Sequence, residues 1–88
     1  MGANTTLQWR VVVQRMIKTE MSRRDVRYQE LSERLAAAGT QQSADNLRNK
    51  VNKGILGADL LLQILSVLQV KSLSMQELED IYSDVKTR

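Results

Sequence analysis

Apolar residues recur along the 88-residue chain in five blocks at helical spacing, separated by short polar or glycine-containing breaks. In the first block Trp9, Val12, Val13, Met16 and Ile17 fall at i, i+3, i+4, i+7 and i+8. That stripe predicts a helix over about 7–21, with Trp9 as a core anchor and Arg10, Arg15 and Lys18 off the stripe. Thr5 and Gln8 fit a capping box ahead of it. Ser22 to Arg27 reads as a polar connection from which Val26 turns inward. A second helix is predicted over 28–38, with Leu31, Leu35 and Ala38 on one face and Glu30 four residues before Arg34. Arginine caps helices poorly, so either Asp25 does that job or the cap is weak. Gly39-Thr40-Gln41-Gln42 then forms a link, and Ser43 caps a third helix over 43–53 carrying Leu47 and Val51 one turn apart. Gly39 and Gly54 each stand where a left-handed residue closes a helix.

The fourth block, 58–70, is apolar nearly all round, so its helix needs cover on more than one side. Leu62 and Val67 are the residues that one neighbour leaves over. The fifth, 75–85, opens with the capping box Ser74-Met75-Gln76-Glu77 and carries Met75, Leu78, Ile81, Tyr82 and Val85 as its stripe. It is expected to fold back over the fourth helix or to pack on a second copy of the chain. Leu62, Val67, Met75, Leu78, Ile81 and Tyr82 are therefore the candidate dimerisation residues.

Composition narrows the chemistry. The chain has no proline, cysteine or histidine and only three aromatic residues, Trp9, Tyr28 and Tyr82. Disulfides, zinc fingers and Cys/His nucleophiles are excluded, and base-stacking platforms lack the rings they need. No acidic cluster has calcium-loop spacing, no run is long enough to span a bilayer, and no signal peptide is visible. The expectation is one all-α domain that is not an enzyme, takes no metal or cofactor, stays off membranes and works in the cytoplasm. Net charge is +3. Residues 1–54 hold ten Lys/Arg and five Asp/Glu, +5, whereas residues 55–88 hold three and five, −2. A basic front and an acidic tail suit a module that meets a polyanion with one side only.

Opposite Leu47 and Val51 the third helix shows Gln42, Asp45, Asn46, Asn49 and Lys53, flanked by Arg48, Lys50 and Asn52. Amides pair bidentately with base edges, and cations reach phosphates or guanine. The same face also suits a solvated surface helix. Arg23, Arg24 and Arg27 form a basic cluster ahead of the second helix, fit either for phosphate contact or for an ordinary loop.

The segments YQELSERL and TQQSADNLRNKVNKG, followed by ADLLLQILSVLQV, resemble the phage-repressor (lambda repressor and Cro-like) helix-turn-helix family over about 7–70. More narrowly, NLRNKV-x-x-G at Asn46 to Gly54, with Gly57-Ala58 and the LLLQIL run, resembles a bacterial domain family with no assigned function. The repressor resemblance implies a five-helix bundle with a helix-turn-helix over 28–54, binding double-stranded DNA as a homodimer. It also implies that Thr40, Gln41, Gln42, Ser43, Asp45, Asn46 and Asn49 lie at the DNA. Arg48, Lys50 and Lys53, with the Arg23, Arg24 and Arg27 cluster, complete the candidate interface. A protein-interaction module on the same fold is the rival.

Overall fold

The computed structural model describes residues 5–87, and among them every regular element is a helix. They are α1 (Thr5–Arg23), α2 (Tyr28–Ala37), α3 (Ala44–Lys53), α4 (Ala58–Val67) and α5 (Met75–Lys86). All five predicted helices are present. Thr5 is already helical rather than a cap, and the position before it lies outside the described residues.

Helix ends follow local chemistry. α1 runs two residues past its predicted end and closes with Asp25 in the left-handed region, at φ 54°. Val26 N–H then returns to the Met21 carbonyl, and the Val26 side chain is buried as expected. α2 starts from Arg27, which makes no side-chain cap bond, and Asp25 does not take over that role. It stops one residue early, so Ala36, Ala37 and Ala38 are all exposed rather than packed under α3. α4 ends three residues short of the predicted Val70. Gln69 takes the left-handed conformation there, at φ 63°, and Val70 N–H turns back to the Leu65 carbonyl at 2.9 Å.

The core joins α1 to α4. Ile17, Leu31, Leu35, Leu47, Val51, Ile64 and Leu68 are fully buried, with Met16, Met21, Val26, Leu60 and Leu65 around them. Val67 is half-buried against this core, so it is not the second-face residue that periodicity suggests. Arg34 ties α2 to the end of α4: its guanidinium holds Glu30 at 2.6 Å and donates to the Val67 carbonyl at 3.0 Å. A cation there meets the partial negative charge of a helix C-terminus.

α5 departs furthest from expectation, because it packs on α1 and not over α4. Tyr82 stacks on Trp9 with ring centroids 4.3 Å apart and planes 9° from parallel. Its hydroxyl meets Gln8 at 3.2 Å, and Arg15 of α1 bonds Asp84 at 2.7 Å. Trp9 is thus a half-buried platform for α5 rather than a residue of the central core. No α5 residue is fully buried, and Leu78 adds packing of α5 on the core. A double-mutant cycle with Trp9→Ala and Tyr82→Ala should return a coupling of about 1 kcal/mol in urea unfolding, since stacked pairs contribute beyond their area. Strictly additive losses would mean that the rings do not stack in solution.

Candidate nucleic-acid interface

α3 is held in a fixed pose by every element near it. Ser43 accepts the Asn46 N–H at 3.0 Å and so caps the helix as its sequence requires. The link before it is pinned twice: Ser32 Oγ donates to the Gln42 carbonyl at 2.6 Å, and the Thr40 hydroxyl donates to Gln63 Oε1 of α4. Leu47 and Val51 are fully buried beneath the helix. At its far end Gly54 is left-handed, at φ 64°, and sits directly on the α1 backbone at Arg10.

The outward face carries Gln41, Ser43, Asp45, Asn46, Arg48, Asn49, Asn52 and Lys53, all exposed. They do not form one uniform set of free donors. Asp45 bonds Arg48 at 2.7 Å, and the Arg48 guanidinium lies 5.3 Å from the centroid of the Tyr28 ring. Lys50 and Gln42, both half-buried, bond each other at 3.2 Å. Thr40 is committed to the link. Among the described residues no hydrogen bond or ion pair within the protein engages the side chains of Gln41, Asn46, Asn49, Asn52 or Lys53; Asn46 bonds only through its backbone.

The basic cluster divides in two. Arg24 holds the buried Glu20 carboxylate at 2.5 Å and also the Glu20 carbonyl at 3.1 Å, while Arg23 approaches the same carboxylate at 3.6 Å. Both therefore serve a buried acid on α1. Arg27 is exposed and unpaired, and it joins Lys18 and Arg48 around a cleft beside the start of α3. Sequence reading missed Lys18 and Tyr28 as parts of this region. Lys18 was visible as an off-stripe cation, but nothing local shows that it faces the start of α3. Burial of Tyr28 pushes its phenol pKa up, with the Arg48 charge partly opposing that shift.

The candidate dimerisation residues are not one surface either. Leu62 is 66% exposed and Met75 58%. Val67 and Leu78 pack on the core, Tyr82 is taken by Trp9, and Ile81 lines the groove between α1 and α5. Among the described residues no group of acidic side chains is placed to hold a metal ion, and no helix is long and apolar enough to cross a membrane.

A family model described as a domain of unknown function, DUF6471, matches residues 9–73, and the chain belongs to that family. This agrees with the narrower of the two resemblances. The match runs from the stacking residue Trp9 to the break before α5, so α5 lies beyond the shared segment. No curated protein and no solved structure matches the chain.

Proposed function

We propose that this chain is a sequence-specific duplex-DNA-binding protein of the repressor-like helix-turn-helix kind, with α3 entering the major groove and two copies acting together. One observation carries the reading. α3 is a ten-residue helix locked from behind by Leu47 and Val51, and in front it presents unengaged Asn46, Asn49 and Lys53. A rigid helix with free amides and a free cation on its outer face fits what base-edge readout requires. The exposed Leu62 and Met75 support a second copy as the cover for α4 and the start of α5.

A protein-interaction module on the same scaffold is the second reading. It is favoured by the engagement of Gln42, Lys50, Asp45 and Arg48 within the protein, which removes part of the expected donor set.

Two substitutions separate the readings. Asn49→Ala should weaken binding to a preferred duplex by about 1–3 kcal/mol and leave random duplex unaffected, as loss of a base contact does. Lys53→Ala should weaken all duplexes alike and lower the salt slope by about one, as loss of a phosphate contact does. Fluorescence anisotropy at several salt concentrations measures both. Equal, sequence-blind losses from the two variants would remove base readout and favour the interaction module.

A further inference from the structure

Helices α1, α2 and α3 meet at a cleft of about 610 Å³ on the flank of α3. Met21, Val26 and the Tyr28 ring give it an apolar lining. Lys18, Arg27 and Arg48 stand around it, against the single carboxylate of Asp45. Asp45 is already paired with Arg48, which leaves Lys18 and Arg27 without a carboxylate partner. The Tyr28 hydroxyl oxygen is buried and bonds no protein group. The volume lies within the range of about 300–1,000 Å³ typical of small-molecule sites, as does the combination of an apolar lining with a few polar groups. A bare phosphate, such as one of a nucleic-acid backbone, would fill little of it and would leave the apolar lining uncovered.

We propose that this cleft binds a small amphipathic anion, an aromatic body bearing one acidic group. The ring system lies against Met21, Val26 and Tyr28. The acidic group meets Lys18 and Arg27. Asp45 draws Arg48 to one side and keeps it stacked on the Tyr28 ring, so that the ring is held as a wall of the site. The assignment is independent of whether α3 reads bases.

The test uses the full chain and 1-anilinonaphthalene-8-sulfonate, an aromatic anion that brightens on binding. A saturable 1:1 rise in fluorescence is expected. Lys18→Ala combined with Arg27→Ala should weaken the dye about tenfold, the effect of losing charge-assisted bonds. Tyr28→Phe, which keeps the ring wall and removes only the buried hydroxyl, should leave binding unchanged. Ser22→Glu, which adds an acid beside the cleft, should weaken it again if the double variant fails to fold. Leu7→Ser, at the exposed start of α1 and outside the cleft, should change nothing. Uncharged N-phenyl-1-naphthylamine should bind at least about tenfold more weakly than the sulfonate, by the same charge argument. The proposal is overturned if the dye does not bind, if Leu7→Ser abolishes binding, or if the charge variants bind as wild type does. Displacement of the dye by an equal concentration of inorganic phosphate would also overturn it, by making this a site for phosphate alone.

Discussion

Gly54→Ala is expected to lower stability by about 3 kcal/mol, from left-handed backbone strain added to overpacking. The residue closes α3 at φ 64°, a conformation that L side chains rarely adopt. An added Cβ would also lie only 2.2 Å from the Arg10 carbonyl oxygen and 2.8 Å from the Arg10 Cα. Neither atom is the end of a flexible side chain, so either α3 must lift from α1 or α1 must bend. Thermal unfolding reads the effect directly, as a fall of roughly 15 °C for a domain of this size. A variant within about 1 kcal/mol of the parent, a small loss by the standard of such mutations, would show that α3 does not sit on α1 this closely.

The second large effect is a contrast between two leucines. Leu47→Ala should cost about 3 kcal/mol, within the range of about 2–5 kcal/mol for emptying a buried leucine site. Leu47 is fully buried between α3 and the rest of the core. Leu62→Ala should cost under about 0.5 kcal/mol at low protein concentration, as exposed substitutions do. Leu62 is 66% exposed, although it sits in the most apolar helix of the chain. Urea unfolding of the two variants side by side tests whether burial, rather than local hydrophobicity, decides which leucines hold the fold. Equal losses would mean that the exposed face of α4 is covered even in the single chain.

Much of this was legible in the sequence, and what was not has specific physical causes. Periodicity located all five helices because each carries a stripe at helical spacing. Ser43, Ser74, Gly39 and Gly54 marked boundaries because their chemistry is local: two hydroxyls accept an N–H three residues on, and two glycines turn left-handed. The early end of α4 was not legible, since Gln69 takes the left-handed conformation without being glycine. Nor was the docking of α5. The surplus leucines of α4 pointed to that helix as its partner, but the Trp9–Tyr82 stack and the Arg15–Asp84 ion pair bring α5 to α1 across about 70 residues of sequence.

Within the candidate site, spacing showed which residues share the outer face of α3 but not which of them are already bonded. Arg48 meets Tyr28 across 20 positions, and Gln42 meets Lys50 across a helix cap. In the sequence Arg23 and Arg24 fit either phosphate contact or an ordinary loop. The structure ties them to Glu20, whose burial no pattern in a single sequence reveals. The free groups Gln41, Asn46, Asn49, Asn52 and Lys53 are therefore a sharper set than the sequence alone defines.

The most direct test of α3 as a reader of DNA is selection of bound sequences from a pool of random duplexes at near-physiological salt. Base reading by α3 predicts enrichment of a motif with two related half-sites about one helical turn apart, the spacing that a symmetric pair of recognition helices imposes. It also predicts that Asn49→Ala blurs one position in each half-site. No enrichment, with binding that disappears as salt rises, would contradict it and make α3 a scaffold for a protein partner.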